Sequence, residues 1–147
     1  MGVFDKLKKI TANVKKDSNS NVRYIEVDGI RYAVGIGYII ELTKQYNERY
    51  KVDASIDEVL QGCFGNAKVT DEAIKKIVFA IAVSINYYNK ANGKQPVDEN
   101  YVINLIDDNG FGYIGKVVLA ISSTITAMMV AGADDKGKEQ DGEQKKS

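Results

Sequence analysis

The run Gly110-Phe111-Gly112-Tyr113-Ile114-Gly115-Lys116-Val117 is where residue types and spacing come nearest to chemistry. It fits G-x-G-x-x-G-x-V, the form of a loop whose backbone amides cradle phosphate, and it also satisfies the dinucleotide fingerprint. Both readings need context. A kinase loop is followed by a strand lysine, a catalytic loop and a magnesium-binding aspartate, yet thirty residues follow Val117 and about half of them are a polar tail. A dinucleotide site needs a strand before the glycines and another after the helix. Here a helix is predicted before the run, so the glycines read as a stop and restart between two helices. Residues 105–116 have the length of a calcium loop, but Leu105 holds the first ligand position and Lys116 the closing glutamate position.

The acidic pairs Asp57-Glu58, Asp71-Glu72 and Asp98-Glu99 suggest paired carboxylates for acid–base work. Each stands at or just after a helix cap, where the helix dipole explains it. Asp107 and Asp108 beside the glycine turn are the remaining catalytic candidates, with no partner group around them in sequence. The chain has no histidine, which removes the commonest general base and the commonest metal ligand. Cys63 is the single cysteine; it falls on an apolar helix face and reads as a buried thiol, and no disulfide framework is possible. The nine tyrosines are not interleaved with arginine, so they read as core or interface rather than base-stacking platforms. The expectation is a protein that is not an enzyme, with no cofactor and no metal.

The elements that must carry any site follow from periodicity. The 147 residues carry no net charge, giving no field to attract nucleic acid, and suffice for one domain. Asp28-Gly29 between two extended runs predicts a hairpin with a two-residue type I′ turn. That turn sets Val27 opposite Ile30, Glu26 opposite Arg31, Ile25 opposite Tyr32 and Tyr24 opposite Ala33. One face, Ile25, Val27, Ile30 and Tyr32, is apolar and must pack on the helices that follow. Gly35 and Gly37 are read as letting the chain turn into a helix from about Tyr38 to Tyr50. Ser55-x-x-Glu58 is a capping box for a short helix ended by Gly62 or Gly65. Thr70 caps a helix through Tyr88 that is apolar on nearly every side, and Asn92-Gly93 stops it. Asp98 caps a fourth helix that ends at Asn109-Gly110, and a fifth runs from about Tyr113 to Val130.

Residues 117–133 are uncharged but short for a membrane span and carry four hydroxyls, so a helix buried in protein is expected and no membrane is implied. The start is neither a secretory signal nor a myristoylation site. Three regions result: a basic amphipathic arm and linker (1–20), a hairpin-plus-helix domain (21–132) and a disordered charged tail (133–147). In the arm, Val3, Phe4, Leu7, Ile10 and Val14 recur at helical spacing. It reads either as a docking helix for a partner or a membrane surface, or as a helix packed on its own domain. The fold class is mainly α, with one N-terminal β-hairpin.

The layout resembles the tail assembly chaperones of long-tailed bacteriophages. Ile25-Glu26-Val27-Asp28-Gly29-Ile30-Arg31-Tyr32 carries the hairpin part and residues 97–107, from Val97-Asp98-Glu99 to Asp107, the late acidic-capped helix. The similarity spans roughly Asn21 to Gly132; the lysine-rich arm departs from it. The resemblance implies a non-enzymatic chaperone in the host cytoplasm, absent from the finished virion. It would bind and solubilise the tape measure protein and help recruit tail tube protein, and a programmed frameshift would yield a longer form. The consecutive lysines of Gln144-Lys145-Lys146-Ser147 permit a slippery codon run. Partner contacts are expected from Phe4, Leu7, Ile10, Ile77, Ile81, Ile85, Ala120 and Ala127, and homo-oligomers from the two most apolar helices. The alternative is a small structural or regulatory adaptor that self-associates through those helices.

Overall fold

The computed structural model describes residues 14–65 and 68–146, with side chains described as far as Val130. A three-stranded antiparallel sheet comes first, in the order β1 (Lys15–Lys16), β2 (Arg23–Val27), β3 (Ile30–Ala33). β2 and β3 pair in the expected register, Val27 with Ile30 through Tyr24 with Ala33. Asp28 and Gly29 both take positive φ, 51° and 82°, as a type I′ turn requires.

Two expectations are corrected here. The end of the basic arm is a strand, Lys15 pairing with Tyr24 and Lys16 with Arg23. The polar stretch after it is no slack linker: Asp17 accepts from the Ser20 amide at 2.9 Å and its hydroxyl at 2.8 Å, while Asp17 N donates to Val22 O. Such side-chain bonds from Asp to the following backbone offer a ready-made turn. They also hold the Asp17 carboxyl below its ordinary pKa.

Five helices follow among the described residues: α1 (Ile36–Tyr50), α2 (Ile56–Phe64), α3 (Asp71–Ala91), α4 (Glu99–Asn109) and α5 (Phe111–Lys146). Their starts are written in side chains. Ser55 and Glu58 complete the capping box, Thr70 Oγ1 accepts from Ala73 N, and Asp98 accepts from Tyr101 N. Gly65 ends α2, while Gly93 and Gly110, at φ 67° and 84°, follow the ends of α3 and α4. Gly35 and Gly37 do something other than turn the chain, since neither has positive φ. Gly35 is the N-cap of α1, and a Cβ on Gly37 would lie 2.9 Å from Tyr87 Cζ. Gly37 lets α1 approach α3.

α3 is the hub, packed against β3, α1, α2 and α4. Its residues Val78 to Ile85 are all buried, which is why it is apolar all round. Tyr38 of α1 donates to its Ala80 carbonyl at 2.8 Å, and its Ser84 hydroxyl donates to Ala33 O at 2.8 Å. The sheet is covered on both sides. Tyr32 reaches the Tyr113 hydroxyl of α5 at 2.6 Å, whereas Tyr24 meets Tyr88 of α3 edge-on, with the Arg31 guanidinium over both rings and bonded to the Tyr88 hydroxyl. The face that carries the Glu26–Arg31 pair is thus partly roofed by the end of α3.

The helix α5 continues to Lys146 in backbone. The disordered tail expected over 133–147 falls on residues whose side chains lie outside those described. Tyr113, Ile114, Val117, Ile121, Thr124 and Ile125 form its buried side.

Candidate partner-binding groove

The first turns of α3 and of α5 leave an apolar groove of about 480 Å³ between them. Val69, Ala73, Ile74 and Ile77 line one wall; Phe111, Ile114, Gly115 and Val118 line the other, and Lys68 is the charged residue among the lining. The walls are placed by two helix starts. Thr70 fixes the first turn of α3, so Val69 stands just outside it, 77% exposed. Gly110, in a backbone conformation open to glycine, breaks α4 and lets α5 begin at Phe111, which is 69% exposed. Two large apolar side chains therefore stand unburied at the rims of an apolar trough. A second depression of about 350 Å³ lies further along α5, between Leu60 and Phe64 of α2 and Ile125 and Met129.

The glycine run thus has two jobs. Gly110 makes the stop, as the spacing predicted. Gly112 and Gly115 are helical, and a Cβ at either would meet nothing within 4 Å. No turn, close approach or strained φ inside the chain calls for glycine there, although each costs helix stability relative to alanine. Gly115 widens the groove instead. Nothing about the run matches a phosphate loop in this fold, because helix α4 precedes it and helix α5 contains it.

The expected contact residues divide. Ile77 is half-buried and lines the groove. Ile81 and Ile85 are 2% and 3% exposed inside the core, so the expected partner surface along α3 is corrected: the sheet, α1, α2 and α4 already cover it. Ala127 is buried too, and Ala120 is half-buried on α5. Phe4, Leu7 and Ile10 lie outside the described residues. Phe111, Val69 and Ile114 were missed; the signal was a phenylalanine directly after a helix-breaking glycine, at helical spacing from Ile114 and Val118.

Of the chemically capable groups, Cys63, Tyr32 and Tyr38 are occupied structurally in the core. Cys63 is fully buried, and burial pushes its thiol up to about 12. Asp107 and Asp108 are exposed on the last turn of α4. Among the described residues no three His, Cys, Asp or Glu side chains stand together as a metal site needs. The tyrosines Tyr32 and Tyr38 are core residues, and burial holds both phenols well above their ordinary pKa. Compared with protein-family models, with curated proteins and with solved structures, the chain matches none.

Proposed function

We propose that this chain is a non-enzymatic binding protein that seats the apolar face of a helical partner in the groove between α3 and α5. The observation that carries the reading is the groove itself: apolar walls, rims of exposed Val69 and Phe111, and a glycine in the wall with open space where a side chain would stand. A helix offers side chains at i, i+3, i+4 and i+7 to such a trough, and the glycine lets its backbone come close. The resemblance to tail assembly chaperones supplies the partner: a long, largely helical tape measure protein kept soluble until tube subunits replace the chaperone. An apolar groove on a charge-balanced domain suits that role, since a chaperone must hold apolar helix without chemistry.

The test is co-expression with a phage tape measure protein, the partner that the resemblance implies. Co-purification of the two and a soluble partner are the expected result. Equal partner solubility with and without this chain would remove the chaperone reading. A self-associating adaptor would instead give oligomers by light scattering and no captured helix.

A further inference from the structure

The two depressions along α5 share one line of its surface. The α5 residues lining the far one, Ser122, Ile125, Thr126 and Met129, repeat those lining the near groove eleven positions on. Eleven residues of α-helix turn about 20° past three full turns and rise about 16.5 Å, so the two sets stand end to end on one flank. Phe111 to Met129 is then a continuous strip of about 27 Å. Along it Phe111, Gly115, Thr126 and Met129 are exposed, so no described element lies over it. The opposite wall is consecutive in the chain as well. α2 lines the far section with Leu60 and Phe64, and α3 begins beside the near section with Ala73, Ile74 and Ile77.

The two sections differ in chemistry. Apart from Lys68 the near one is apolar, whereas the far one mixes apolar side chains with Gln61, the hydroxyls of Ser122 and Thr126, and the carboxylate of Asp57. One charge of each sign thus lines each section. A helix carries partial positive charge at its N-terminus and partial negative charge at its C-terminus. Laid in the trough with its N-terminus in the Asp57 section and its C-terminus in the Lys68 section, it meets an opposite charge at both ends. That direction is antiparallel to α5. We propose that the near groove and the far depression are one seat, which takes an amphipathic helix of at least about 18 residues running antiparallel to α5. Large apolar side chains fill its C-terminal half, over Gly115, and small or hydroxyl-bearing ones its N-terminal half, over Thr126. The proposal rests on the reading that the groove seats a helix, and adds the length, direction and composition of that helix.

Titration calorimetry on the full chain tests it, with two end-blocked synthetic helices of about 22 residues as probes. One carries leucine at i, i+3, i+4 and i+7 in its C-terminal half and alanine and serine on the same stripe of its N-terminal half; the other has the halves exchanged. The first should bind at least about three-fold tighter, because with leucines over the near section it alone runs from Asp57 to Lys68. Thr126→Arg with Met129→Arg, both at exposed positions, sets charge and bulk on the far section and should weaken its binding at least about ten-fold. Gly115→Leu on the near section should do the same, and Ile103→Arg, exposed on α4, should change nothing. Urea midpoints on the same samples check folding, and Met129→Arg alone, on a side chain 51% exposed, serves if the pair unfolds. A loss with Gly115→Leu and none with the arginine variant confines the helix to the near groove: the proposal falls and the groove reading stands. Equal or tighter binding of the second helix overturns the direction and the proposal with it. No binding, or binding indifferent to both sections, removes the proposal and the groove reading together. So does a dimer that the arginine variant dissociates and the helix does not, which would seat a second copy in the trough.

Discussion

Gly115→Ala should make this protein more stable. Gly115 is the fifth residue of α5, its conformation is helical, and an added Cβ meets nothing within 4 Å. Alanine in a helix interior is favoured over glycine by about 1 kcal/mol, because glycine loses more backbone freedom on folding. Nearness to the helix start reduces the gain, so the expected rise in unfolding free energy is about 0.5–1 kcal/mol. Urea denaturation followed by far-ultraviolet circular dichroism measures it. With a slope of about 1.5–2 kcal/mol per molar urea, the midpoint should move up by about 0.3–0.6 M at unchanged slope. A midpoint that stays put or falls would refute the reasoning. It would mean that some part of the chain already fills the space beside Gly115, and that the groove is not open.

The opposite sign is expected at Gly37, where Ala would press on Tyr87: a loss of about 1–2 kcal/mol in the same assay, largely recovered when Tyr87→Leu is added, and no recovery would contradict the close-approach reading. Tyr113→Phe leaves the buried Tyr32 hydroxyl without its partner and should cost about 1–3 kcal/mol, whereas the double variant with Tyr32→Phe should be less destabilised than the single; a double-mutant cycle with no coupling would exclude the pair as a unit. Stability should also fall at alkaline pH. Burial raises the folded-state pKa of Tyr32, Tyr38 and Cys63, so the unfolded chain loses protons first and the stabilisation, complete below about pH 9, is lost as pH climbs through 10 and beyond. Each group contributes a slope of about 1.4 kcal/mol per pH unit once its unfolded form ionises. Urea midpoints equal at pH 8 and pH 11 would show these groups to be solvated in the native state.

Much of the fold was legible because its signals are local. Asp28-Gly29 dictates a turn and the turn dictates a register, so all four cross-strand pairs could be named. Ser55, Thr70 and Asp98 announce helix starts through bonds made within three residues. What stayed hidden depends on partners distant in sequence. Nothing local marks Lys15–Lys16 as a strand, because β2 makes it one. Asn86 clasps the backbone of Val97 with both ends of its amide, and Asn47 does the same to Ala54, yet both read in sequence as ordinary polar helix residues. The apolar breadth of α3 could mean core or interface, and the neighbours on its several sides decided for core. The groove needed two helix starts far apart in sequence to be set side by side. Ile77 was found there by periodicity; Phe111 is in register with Ile114 and Val118 but lay before the expected helix start at Tyr113, and Val69 lay before the Thr70 cap.

The central claim, that the groove seats a helical partner, is tested most directly by comparing wild type, Gly115→Ala and Gly115→Leu for binding to a phage tape measure protein, the partner that the resemblance implies, with folding stability measured on the same samples. Leucine at that position projects into open groove rather than into the core, so the folded state should be at least as stable as wild type while the seat is filled. The expected result is a loss of affinity of at least about ten-fold for Gly115→Leu, about 1.4 kcal/mol, with Gly115→Ala between the two. Equal affinity for all three at preserved stability would place the partner elsewhere and contradict the claim.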